Sequence, residues 1–162
     1  MQQRRNTRKE KQNDPSKSRK VKEKFVEVNK PAPIVAKTEK QKQYLAMLND
    51  PKIQMIICLG LHGVGKSFLS ATVAADKYIK NDITKIIVAR PYVQTGKSSG
   101  LKPGTGLQKL YPYVRNVLDP IRKRMGDAAF NIALADGESG SIEVQELESI
   151  RGRSFDERSF LL

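Results

Sequence analysis

The chain has one cysteine, Cys58, so no internal disulfide framework is open to it, and a reducing, cytoplasmic setting is the expectation. Cys58 lies inside an apolar run, where plain packing is its ordinary role. No apolar stretch approaches the roughly 18 residues of a membrane span, and the start, MQQRRNTRKEKQ, offers no apolar segment for a signal peptide. A soluble, intracellular protein with no membrane partner is expected. Acid is scarce as well: 17 Asp and Glu stand against 30 Lys and Arg, a net charge of +13. Polyanions are the natural partners of such a chain, because each neutralised phosphate releases counterions. At 162 residues there is room for one ordinary domain and no second full one.

Residues 1–36 read as a basic, disordered tail and linker, and residues 37–162 as the folded unit. The first 30 residues hold eleven Lys or Arg against four acids, a net of +7, and too few apolar side chains to order themselves. Such a tail is either merely solvated or an arm that adds contact with RNA or DNA. KPAP at 30–33 marks the linker.

Thr38 is placed to cap a helix carrying Tyr44, Leu45 and Leu48 on one side, and Asn49, Asp50 and Pro51 end it. IQMIICL, residues 53–59, is unbroken apolar sequence of strand length, which predicts a strand buried on both faces of a parallel sheet. A helix follows over residues 66–80, with Phe68, Thr72, Ala75 and Ile79 at helical spacing and Leu69 and Val73 beside them. KIIVA at 85–89 predicts the next strand, completing a beta-alpha-beta unit. RPYVQTGKSSGLKPGTG predicts an exposed loop or hairpin. Pro112 reads as the first residue of a helix that ends at Gly126, with a kink at Pro120. A short helix over DAAFNIALAD, a strand at SIEVQEL with Ile142, Val144 and Leu147 alternating, a basic turn at SIRGRSFDE and a short apolar strand at SFLL complete the pass.

Gly60, Gly65, Lys66 and Ser67 match GxxxxGK[ST] between a predicted strand and a predicted helix, the setting in which this motif cradles phosphate. Glycines let the main chain curl so that N–H groups turn inward on phosphate oxygens, and the helix adds the positive end of its dipole. The expected nucleotide-binding residues are Gly60, Leu61, His62, Gly63, Val64, Gly65, Lys66, Ser67 and Phe68. Lys66 can reach the β and γ phosphates of ATP, and the Ser67 hydroxyl can ligate Mg²⁺. His62 is the only histidine; on the outside of a loop it is expected to face solvent.

TEKQKQY, GVGKS, RPYV, GLKPG, QKLYPYVRNVLDP and IRGRSF follow one another in an order and spacing that resembles the PhoH-like family of ATPases, from about residue 38 to 162. The resemblance implies an α/β P-loop NTPase fold, RecA-like and akin to superfamily 1 helicases, with a parallel sheet flanked by helices. It also implies ATP hydrolysis coupled to RNA or single-stranded nucleic acid, and possible homo-oligomeric rings. By the same resemblance Gln41, in TxxQxxY, reads the adenine edge with its amide. Arg90, Lys109, Arg151 and Arg153 become nucleic-acid contacts, with Lys102 as an addition.

Similar proteins follow the basic turn with an apolar strand ending in an acidic pair that supports Mg²⁺ and the attacking water. Here RSFLL reaches Leu162 and no such pair follows, so the fold is expected to be incomplete at its C-terminal side and hydrolysis to be feeble. Asp156 and Glu157 stand too early to substitute and are expected to be exposed. Two other readings stay open: a small P-loop kinase, and a basic nucleic-acid-binding protein whose loop holds phosphate only as a structural device.

Overall fold

The computed structural model describes residues 32–91, 106–134 and 140–162. Helix α1, Glu39–Asn49, starts where Thr38 leaves helical dihedrals and its hydroxyl accepts the Gln41 N–H at 3.2 Å. It stops at Asp50, whose carboxylate accepts the Lys52 N–H at 2.9 Å just past Pro51. Helix α2, Lys66–Ile79, is buried continuously from Leu69 to Ala75, while Phe68 is exposed instead of lying on the apolar face. Ala71, Ala74 and Ala75 keep the helix slim where it meets helix α3, Gly106–Met125. Strand β1, Lys85–Arg90, helix α4, Asp127–Ala133, and strands β2, Ile142–Glu146, and β3, Ser159–Leu161, complete the described elements.

Helix α3 begins at Gly106, so Pro112 is interior and not the first helical residue. Each interior proline forfeits a backbone hydrogen bond and costs about 3 kcal/mol. The stripe Leu110, Val114, Val117, Leu118, Ile121 and Met125 is buried, at about 1.5–3 kcal/mol each, which outweighs both prolines and carries the helix through them. Gly126 ends it as expected. The glycine- and proline-rich stretch expected to form a loop falls almost wholly outside the described residues.

The three strands are parallel in the order β2-β1-β3, with Ile86 opposite both Ile142 and Phe160. Ile86 and Val88 meet the core of α2, α3 and α4 on one face. Pleating turns Lys85, Ile87 and their neighbour Glu143 to the other. An Arg124 fork on Asp76, at 2.5 and 2.7 Å, ties the end of α3 to α2.

One expected strand is not in this sheet. Residues 53–59 have no strand partner among the described residues, and Met55, Ile57 and Leu59 are 79, 78 and 89% exposed. The beta-alpha-beta unit expected across α2 is therefore not formed. Apolar character makes a strand buried only if neighbouring strands and helices cover it, and none here does. The alternation survives, since Ile56 and Cys58 are half-buried between exposed neighbours. Such a ridge is an adhesion surface. The double variant I57K/L59K is expected to lower binding of a fluorescent hydrophobic dye and to slow aggregation, with stability changed by no more than about 0.5 kcal/mol. A large loss of thermal stability would mean that these side chains are covered in solution.

Candidate phosphate-binding site

The glycine loop opens α2 from a turn that only glycine adopts readily. Gly63 and Gly65 have φ of 78° and 89°, and Gly65 is the left-handed residue immediately before the helix. A Cβ at Gly65 would stand in van der Waals contact with the Gln41 amide nitrogen at 3.4 Å, so it is the backbone conformation that favours glycine there. No side chain caps the helix, which leaves the first-turn amides of Lys66, Ser67 and Phe68 to an anion. Lys66 is half-buried and its ammonium donates to the carbonyls of Gly60 and Leu61, both at 2.7 Å, drawing the two ends of the loop together. Ser67 is half-buried, and His62 is exposed as expected.

Helix α1 braces the loop from one side. The Gln41 amide nitrogen donates to the Val64 carbonyl at 3.1 Å, and its oxygen accepts the Lys37 N–H at 2.7 Å. Burial pushes the Tyr44 phenol above its ordinary pKa, against the opposing effect of a hydrogen bond with Ser70 of α2. Leu48 is buried, and the Lys77 ammonium donates to its carbonyl at 2.7 Å. The pattern of Thr, Gln and Tyr three residues apart thus becomes a cap, a loop contact and a packing contact on one helix.

The chemistry of the loop fits a triphosphate: first-turn amides with no side-chain cap, one cation and one hydroxyl. A Mg²⁺ ion would be held by the Ser67 hydroxyl, a hard oxygen donor at the start of α2, together with phosphate oxygens.

The cations singled out in the sequence do not share one patch. Arg90 ends β1 beside Glu146, at the C-terminal end of the parallel strands. Arg153 is at the other end, its guanidinium 3.4 Å from Glu143 and 5.3 Å from the Phe155 ring centre. That end also receives the close of α2, where Arg158 bonds the carbonyls of Asn81 and Asp82. Fourteen helical residues, about 20 Å, separate it from Lys66. Arg151 is exposed on the turn between, and the Lys109 side chain and Lys102 lie outside the described residues. Asp156 and Glu157 are exposed near the start of β3, far from the loop, as expected.

Glu143 is the functional-looking group that the alternation of SIEVQEL conceals. It is fully buried, 2.6 Å from Lys85 and 3.4 Å from Arg153, with the Gln145 amide at 3.4 Å. Reading Ile142 and Val144 as the inward face sends Glu143 to water, but Lys85 of β1 and Arg153 of the IRGRSF segment reach it there, and it is buried.

A parallel sheet backed by helices, with a glycine loop opening one of them, defines a P-loop NTPase. The PhoH-like protein family matches residues 33–162. The chain belongs to that family. It is 34% identical over 131 residues to Protein PhoH of Escherichia coli, across 81% of this chain and 36% of that protein. PhoH-like proteins of Synechocystis (33% over 119 residues, 74% of this chain and 35% of that protein) and Bacillus subtilis (31% over 129 residues, 80% and 39%) are similar in the same region. The chain spans little more than a third of the length of these relatives. No helix among the described residues is long and apolar enough to cross a membrane.

Proposed function

We propose that the chain binds ATP with Mg²⁺ at residues 60–68, and that the whole protein couples ATP hydrolysis to RNA or single-stranded nucleic acid in the cytoplasm. The observation that carries the nucleotide reading is the uncapped start of α2 behind left-handed Gly65, with Lys66 drawn across the loop. Lys66 would bind the β and γ phosphates, and Ser67 would bind the metal. Bound Mg²⁺ supplies charge neutralisation between those phosphates. In this chain binding is expected to exceed turnover, because Asp156 and Glu157 stand exposed ahead of the start of β3 and away from the loop.

The nucleic-acid reading rests on charge, the net +7 of the first 30 residues with Arg90, Lys109, Arg151 and Arg153 beyond it. Titration of labelled single-stranded RNA at several salt concentrations, with and without ATP, tests it. Affinity is expected to fall steeply with salt, with a logarithmic slope approaching roughly −5 if the tail's net charge is fully engaged. ATP is expected to shift RNA affinity several-fold, and RNA to shift ATP affinity by the same factor. A steep salt slope with no ATP effect would support the basic binding protein whose loop is structural. RNA affinity insensitive to salt would remove the nucleic-acid reading.

A further inference from the structure

We propose that Gln41 is a positioning residue that latches the phosphate loop to α1 and acts on the phosphates rather than on the base, an inference that rests on nucleotide binding at residues 60–68. A glutamine amide has an oxygen acceptor and two N–H donors. Here the oxygen is engaged by the Lys37 N–H at 2.7 Å and the nitrogen by the Val64 carbonyl at 3.1 Å. Both partners are main-chain groups, which cannot turn aside as side chains do.

The Val64 bond has a geometric consequence. The peptide between Val64 and Gly65 is planar and trans, so its C=O and N–H point in opposite directions. Holding the Val64 oxygen toward α1 aims the Gly65 N–H away from α1. The same amide nitrogen lies 3.4 Å from where a Gly65 Cβ would be, so it stands against the turn at contact distance.

The latch stands on a fixed base. Thr38 caps α1, Leu48 is buried, Tyr44 packs by Ser70, and Lys77 holds the Leu48 carbonyl. Gln41 therefore orders the loop before an anion arrives, and without it that ordering falls on the binding step.

The competing role for this side chain, reading adenine, affects only ligands that carry the base. Calorimetric titration with ATP, GTP and inorganic tripolyphosphate separates the two. Gln41→Ala is expected to weaken all three by a common factor, on the order of three- to ten-fold, with the ATP to GTP ratio unchanged. Gln41→Glu keeps the acceptor for Lys37 but sets a carboxylate oxygen against the Val64 carbonyl, and is expected to lose at least as much. Lys37→Pro deletes the anchoring N–H, leaves the Gln41 side chain intact, and is expected to weaken all three ligands by a smaller common factor.

Loss of ATP affinity alone, with tripolyphosphate binding unchanged, would overturn the latch in favour of base reading. Unchanged binding of all three by folded variants would overturn it outright. Should Gln41→Ala fail to fold, the Lys37→Pro titration decides on the same criteria. A wild-type chain that binds none of the three ligands overturns the nucleotide reading itself, and so is told apart from failure of the latch.

Discussion

Replacing Lys66 by alanine is expected to reduce ATP affinity by two orders of magnitude or more, below detection in a fluorescent-nucleotide titration. The ammonium serves the loop twice. It holds the Gly60 and Leu61 carbonyls at 2.7 Å, and it is the one cation within residues 60–68 available to a triphosphate. A charge-assisted hydrogen bond to a phosphate oxygen contributes about 1.5–3 kcal/mol, and roughly 1.4 kcal/mol is tenfold in affinity, so losing two such bonds to the triphosphate accounts for a change of that size. Lys66→Arg is expected to fail as well, since a planar fork does not replace a compact ammonium between two carbonyls. Stability of the unliganded protein should change by only about 1 kcal/mol, because the loop lies at the surface. ATP affinity within threefold of wild type in Lys66→Ala would refute phosphate binding at this loop.

Glu143→Gln is expected to be the most damaging single change to stability, at about 3 kcal/mol, a fall in melting temperature on the order of 10 °C. Its carboxylate is wholly buried and balances Lys85 and Arg153, whose side chains are only 29 and 23% exposed. An amide in its place removes the buried negative charge that both partly buried cations face. The triple variant K85M/E143L/R153M removes all three charges together and is expected to recover most of the loss, since apolar replacements of a buried ion cluster are often neutral or better. Thermal unfolding of the three proteins checks this, and a single variant as stable as wild type would show the cluster to be dispensable. Arg153 thus has a folding role through Glu143.

Much of the architecture is local in origin and legible in the residues. Thr38, Gly126 and the Asn49-Asp50-Pro51 sequence mark helix ends because capping and chain-breaking act within a few positions. KIIVA, SIEVQEL and SFLL read as strands and are strands. The glycine loop is equally legible, since its spacing is set by main-chain curvature. Pro112 was misleading because its local preference for a helix start yields to the buried stripe from Leu110 to Met125. Gln41 stands out in the TxxQxxY pattern, but its bond to the Val64 carbonyl is not legible there, because it joins chain positions far apart.

By itself the amino-acid sequence determined the class of the protein: an α/β chain with a phosphate loop, a basic N-terminal composition and motifs of the PhoH-like family. Tertiary structure alone decided which apolar residues are covered and which charges are neutralised. IQMIICL, expected to be buried, lies largely open, and the acid Glu143 is buried. The reason is that burial belongs to the pair of surfaces that meet. Composition states what a segment would gain by being covered, and only the path of the rest of the chain determines whether anything arrives to cover it.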